Sequence, residues 1–91
     1  MEFEWDAGKD AANRQAHGVA LAEVAGLEWR AAQERPDMRF NYGEVRFEAV
    51  APLKGRLHVC IFTMRNAVHR IISLRKANAR EERKYEQARS K

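Results

Sequence analysis

A group of side chains able to handle phosphate or protons stands out between Glu44 and Tyr85. They are Arg46, Arg70, Arg75, Lys76 and Arg80, the histidines His58 and His69, the carboxylates Glu44, Glu48 and Glu81, and the Tyr85 phenol. A guanidinium fork matches the oxygens of a phosphate. His or Glu serves as a base, and His or Tyr as an acid. These types suit cleavage of RNA by its own 2′-hydroxyl, where a protein need only take a proton, give a proton and stabilise a pentavalent phosphate. Other chemistries lack their residues. His17, His58, His69 and the single Cys60 show no zinc-type spacing. There is no Gly-rich phosphate loop and no nucleophile elbow, so neither a metal nor a cofactor is expected. Several candidates also have plainer readings. His58 and His69 fit as polar surface residues of a sheet, and His17 as a cation at a helix C-terminus. Tyr85 fits as a packing anchor, Glu81 as a helix cap and Cys60 as a small buried hydrophobe.

Positioning these groups falls to a run of strands and a closing helix. Leu57–Thr63 is apolar on both faces, which marks a central strand covered, at least partly, on both sides. Ala67–Leu74 follows, and Arg65-Asn66 suits a two-residue hairpin loop because Asn tolerates positive φ. Glu44–Ala51 alternates as a half-buried antiparallel strand, with Pro52–Arg56 as the turn leading out of it. Upstream, Phe3 and Trp5 mark a short edge strand. Asp6 is the N-cap of a helix that ends at His17, before Gly18. Leu21, Val24, Ala25 and Trp29 predict a second helix over Val19–Trp29, with Leu27 joining less cleanly. Arg30–Gly43 carries turn chemistry and reads as a loop with a short strand. Asn78 and Glu81 have capping-box spacing for a helix over Asn78–Arg89. That helix has only a thin apolar stripe of Ala77, Tyr85 and Ala88, so it docks weakly unless a partner chain completes it.

With Arg65-Asn66 as the loop, strand alternation places Leu57, Val59, Ile61, Val68, Ile72 and Leu74 on a core face against the two helices. Phe47 and Ala49 join them. The opposite face gathers His58, His69, Arg46, Arg75, Glu44, Glu48 and Ser73 around Phe62, a surface suited to single-stranded RNA. Arg70 falls on the core face near the sheet edge, and a one-residue change in the turn would flip it.

Ninety-one residues bound a single domain over residues 1–91 with a modest core. The lone cysteine permits no internal disulfide and implies a reducing compartment. No apolar run approaches a membrane span, and Glu2, Glu4 and Asp6 stand where a signal peptide would be basic. A cytoplasmic protein is expected. The net charge of +4 is uneven: residues 1–64 carry 8 Lys/Arg and 10 Asp/Glu (net −2), residues 65–91 carry 9 Lys/Arg and 3 Glu (net +6). A basic block on a near-neutral body points to a polyanion such as nucleic acid, or to an acidic protein partner.

Taken together, the residues resemble the BrnT family of bacterial toxins. Trp5-Asp6, Lys9, Asn13 and His17-Gly18-Val19 look like that family's opening, and Glu44, Arg46, Phe47 and Ala49 like the strand before its central hairpin. Gly55-Arg56-Leu57 with Thr63 is similar to its next element. Arg70-Ile71-Ile72-Ser73, Arg75 and Ala77, followed by Glu81 and Tyr85, form the most specific segment. The resemblance implies an α+β fold of RelE-like type, βααβββα, with two N-terminal helices on one face of a small antiparallel sheet and a C-terminal helix. It also implies RNA cleavage that arrests translation, and neutralisation by a ribbon-helix-helix antitoxin of the BrnA type, with DNA contacted only through the antitoxin. It directs suspicion to Trp5, Glu44, Arg46, Arg70, Arg75, Glu81 and Tyr85. The resulting assignment gives catalysis to Arg75, Arg70, Glu44, Tyr85 and His58. Contact with RNA falls to Arg46, His69, Lys76, Arg80 and Trp5. The alternative is a module of the same fold that binds RNA or a partner without cutting.

Overall fold

Asp6 closes the first strand and opens the first helix. In the computed structural model, which describes residues 1–90, β1 spans Glu2–Trp5 and α1 spans Ala7–His17. The Asp6 carboxylate accepts from the Lys9 backbone N–H at 3.0 Å. Gly18 ends the helix at φ 70°, a left-handed conformation that glycine adopts without a Cβ penalty. Then come β2 (Gln33–Pro36), β3 (Phe47–Leu53), β4 (Arg56–Arg65), β5 (Val68–Lys76) and α2 (Ala79–Arg89). The strands form one sheet in the order β1-β5-β4-β3-β2. β1 runs parallel to β5 and the other neighbours are antiparallel. No helix among the described residues is long and apolar enough to cross a membrane.

This corrects the expected RelE-like arrangement of two N-terminal helices on one face of a small antiparallel sheet. The sheet has five strands and is mixed, because β1 inserts beside β5 in the same direction. Val19–Trp29 forms no second α-helix. It folds as two 3₁₀ turns, Leu21–Gly26 and Trp29–Ala31. Leu21, Val24 and Leu27 recur every third residue and are all buried, which matches the three residues per turn of a 3₁₀ helix. Gly26 further weakens an α-helix, and a Cβ there would lie 3.3 Å from Leu53 Cδ1.

The faces of β4 and of β5 as far as Ile72 are also exchanged relative to expectation, while Phe47, Ala49 and Leu74 lie on the α1 side as expected. Cys60, Phe62, Ile71 and Leu74 pack with Leu21, Val24 and Leu27 on the α1 side. Val50, Val59 and Ile61 meet Ala77 and Tyr85 of the α2 side, with Leu57 and Ile72 against them. The β3–β4 loop sets the exchange, because two loop residues in place of five put Phe62 and Cys60 opposite Phe47 and Ala49, and the β4–β5 hairpin carries it onward. The hairpin loop is Asn66-Ala67, at φ 51° and 67°, with Arg65 opposite Val68. In addition β5 bulges: Ile61 stands opposite Ser73 but Phe62 opposite Ile71. Ile72 is the extra residue, so Ile71 and Leu74 reach the same side. The shorter β3–β4 loop is Lys54-Gly55, across which Leu53 pairs with Arg56. Cys60 is fully buried, and burial pushes its thiol up to about 12, so it packs as a hydrophobe.

Beyond the bulge, β5 loses its parallel neighbour, because β1 pairs only as far as Ile71. Asn13 of α1 takes over. Its amide donates to the carbonyls of Leu74 at 2.8 Å and Val19 at 2.9 Å, and its oxygen accepts from the Leu74 N–H at 3.1 Å. A buried side chain thus serves backbone groups that the sheet leaves unpaired.

Candidate functional site

α2 covers only part of its face of the sheet, and the uncovered remainder holds most of the ionic groups singled out in the sequence. The Asn78 cap starts α2. Its side chain accepts from the Glu81 N–H at 2.8 Å, and its own N–H donates to Glu81 Oε1 at 2.9 Å, closing a capping box. The Glu81 carboxylate also receives the Arg75 fork, Nη1 to Oε1 at 2.8 Å and Nη2 to Oε2 at 2.9 Å. That pairing, opposed by partial burial, holds Arg75 above its ordinary value and Glu81 below its own. Glu48 and Arg39 stand near enough for their charges to act on Arg75.

Beside this pair lies a small cleft between α2 and the β2–β3 edge, lined in part by Arg35, Glu48, Glu81, Lys84 and Tyr85. Arg35 and Glu48 are direct cross-strand partners, and Arg35 Nε donates to Glu48 Oε1 at 3.0 Å. Further along the same face, Arg46 Nε donates to Glu44 Oε2 at 3.0 Å, with Arg65 Nη2 3.6 Å from Glu44 Oε1. The hydrogen bond from Arg46, more than any other influence, keeps the Glu44 carboxyl below the usual range. Arg70 reaches Glu4 across the parallel pair at 3.5 Å. Arg70, opposite Thr63, lies on this face and not on the core face against α1, and the bulge brings Arg75 to the same side. By the ~3.3 Å rise per strand residue, Arg46 lies roughly 13 Å along β4 from the level of Arg75.

Other candidates are engaged differently. The Tyr85 hydroxyl donates to the Ala31 carbonyl at 2.7 Å, the side chain is 2% exposed, and its backbone carbonyl accepts from Gln33 Nε2 at 2.9 Å. It anchors α2 on the sheet. His58 is buried on the α1 side, opposite Lys76, and its Nδ1–H donates to the Arg56 carbonyl at 2.8 Å. Trp5 is 37% exposed and pairs with Ile71 at the end of β1. Arg80 is exposed in the first turn of α2. Arg35, Arg65 and Glu48 belong to the site though none was assigned a role in it. Arg35 sits in the short strand expected within Arg30–Gly43, but the segment has no apolar alternation to mark the strand's limits or faces. Arg65 was placed in the hairpin loop, because an alanine at positive φ is a poor turn signal. Among the described residues, no three His, Cys, Asp or Glu side chains converge as a metal site requires.

His69 stands on the α1 side, opposite Met64. Its ring lies 4.8 Å from Phe62, 5.1 Å from Trp29 and 5.7 Å from Phe3, and its Nδ1 is buried without a partner among the described residues. Burial lowers its pKa from the ordinary 6.5, against the opposing charge of Glu34. The unfolded chain therefore binds a proton more readily than the folded one. The stability this supplies is complete above about pH 6.5 and is lost as pH falls toward the depressed value. The expected result is a denaturation midpoint that falls between about pH 7 and 5, with a shallower fall in His69→Phe. An unchanged slope in the variant would assign the acid sensitivity to other groups.

Residues 5–81 match the model of a family described as the ribonuclease toxin BrnT of type II toxin–antitoxin systems. Among solved structures, the chain is similar to the 1.1 Å crystal structure of the Brucella abortus ribonuclease toxin BrnT. The TM-score is 0.70 at 23% identity, over 86% of this chain and 97% of that one. At that identity the likeness concerns the fold. No curated protein sequence matches the chain.

Proposed function

This chain belongs to the BrnT family of ribonuclease toxins of type II toxin–antitoxin systems, and from that premise we propose that it cuts RNA without a metal on the open face beside α2. Cutting of this kind arrests translation, and a ribbon-helix-helix antitoxin of the BrnA type neutralises it. The observation that carries the reading is the set of guanidinium groups on one sheet face, each backed by a carboxylate, with Arg75 held as a fork by Glu81.

Arg75, Arg70 and Arg46 together grip and stabilise phosphate along this face, since such forks fit phosphate oxygens. Glu44 takes the proton of the 2′-hydroxyl. Arg46 and Arg65 hold its pKa down in the resting protein. When phosphate draws those cations away, the carboxylate regains basicity as the cleavage needs it. The 2′-oxygen bonds to phosphorus, the bond to the 5′-oxygen breaks, and that oxygen takes a proton from water on the open face. Tyr85 and His58 are committed to packing and take no part.

Purified protein is expected to cut single-stranded RNA to fragments ending in 2′,3′-cyclic phosphate, at the same rate with and without EDTA. Loss of cutting with EDTA would sink the metal-independent mechanism. The second reading is a non-catalytic binding module. It is favoured by the pairing of these arginines with carboxylates, and RNA that is bound yet stays intact would establish it.

A further inference from the structure

The loop between β2 and β3 exposes large apolar side chains while being fixed from beneath. Met38 is 84% exposed, Phe40 69% and Val45 65%, half of the large exposed apolar side chains among the described residues, within eight positions. Such a cluster is uncommon on a surface with no binding role. The loop is nonetheless pinned. Asp37 is buried and accepts from Arg39 Nε at 2.8 Å, Arg39 Nη2 at 3.0 Å and the Tyr42 hydroxyl at 3.0 Å. These contacts, above all the one from Arg39, hold the Asp37 carboxyl down to about 2. The Asp37 N–H donates to the Arg46 carbonyl at 2.8 Å, the Arg46 guanidinium lies 3.9 Å over the Tyr42 ring, and Thr63 Oγ1 donates to the Val45 carbonyl at 2.7 Å. A rigid loop loses little entropy on binding.

The charge around the patch is layered. Arg39 is 56% exposed over Asp37 at 1%, Arg35 54% over Glu48 at 10%, and Arg65 56% over Glu44 at 30%. The carboxylates lie inward, so a cationic rim surrounds the apolar centre. That pattern is complementary to a protein segment with apolar anchors flanked by carboxylates. RNA fits less well, because Met38 and Val45, two of the three exposed apolar side chains, offer no ring for base stacking.

We propose that the Met38–Phe40–Val45 patch is where the protein antitoxin docks, through an apolar and acidic segment. A type II system implies a protein antitoxin, so the proposal rests on family membership and not on the cleavage mechanism. An antitoxin seated there covers Glu44, Arg46 and Arg65 beside the loop, and so shields the face assigned to RNA.

The test uses Met38→Ser/Phe40→Ser, with Val45→Ser as an independent variant. Affinity for the cognate antitoxin is measured in an Arg75→Ala background so that toxicity does not limit expression. Growth and RNA integrity are followed in the active background. The expected result is binding weakened more than about tenfold, as removal of central apolar anchors gives, with an unchanged melting temperature. In cells, RNA cutting persists and the antitoxin no longer rescues growth. Wild-type affinity in both variants would overturn the proposal. So would lost RNA cutting with antitoxin affinity kept, which would give the patch to RNA. If the wild-type chain cuts no RNA but the variants still lose the antitoxin, the docking site stands and the cleavage mechanism falls.

Discussion

Arg75→Ala is expected to lower RNA cleavage by about 10²–10³-fold while leaving the fold intact, the loss typical when one preorganised donor to a developing charge is removed. Glu81 fixes the Arg75 guanidinium at the lip of the α2 cleft with two short bonds, so the positive charge needs no rearrangement when phosphate arrives. The stability cost is small. The two side chains are 30% and 20% exposed, and a pair of that exposure contributes about 1 kcal/mol or less. Glu81 also keeps its bond to the Asn78 N–H, so the α2 cap survives the change. Arg75→Lys should recover only part of the activity, since an ammonium keeps the charge but not the fork. Rates are compared on one RNA, with circular dichroism as the control for folding. A folded Arg75→Ala protein that cuts at the wild-type rate would remove Arg75 from the site.

Asn13→Leu is expected to lower the unfolding free energy by roughly 3–5 kcal/mol with no direct effect on the RNA-facing side. The side chain fills three hydrogen bonds to the backbone of Leu74 and Val19 and is 5% exposed. Leucine keeps the branching and heavy-atom count of the side chain but leaves the Leu74 N–H and two carbonyls buried without partners, at about 1–3 kcal/mol for each. Domains of this size have about 5–15 kcal/mol in total, so the variant should be partly unfolded at body temperature and folded in the cold. Urea titration at low temperature reads the difference as a lower midpoint at constant slope. A loss under about 1 kcal/mol would mean that water replaces the amide there.

The two residues mark the boundary between what could and could not be read in advance. Arg75 stands out in sequence, because a run of cations leaving an apolar strand is visible locally. Asn13 was noticed only as part of a family pattern. Its work is to serve a strand sixty-one residues away, at the one point where β1 has stopped pairing. Arg70 shows the same division. Its side chain type was legible, but its sharing a face with Arg75 depended on the bulge at Ile72, which no alternation pattern announces. His58 and Tyr85 were chosen for their chemistry, and both turn out to be tied to backbone carbonyls.

The sequence by itself determined the helix limits at Asp6, Gly18 and Asn78, the central position of β4, and the types of side chain available for phosphate chemistry. These depend on capping hydrogen bonds, positive φ at glycine and short-range apolar periodicity, all decided within a few residues. Tertiary structure alone decided the parallel insertion of β1, the 3₁₀ path of Leu21–Gly26, and which face of the sheet each arginine shares. β4 is apolar on both faces, so its own pattern does not distinguish the side packed by α1 from the side packed by α2. That choice was made by the Lys54-Gly55 turn, by one extra residue in β5, and by contacts between segments far apart in the chain.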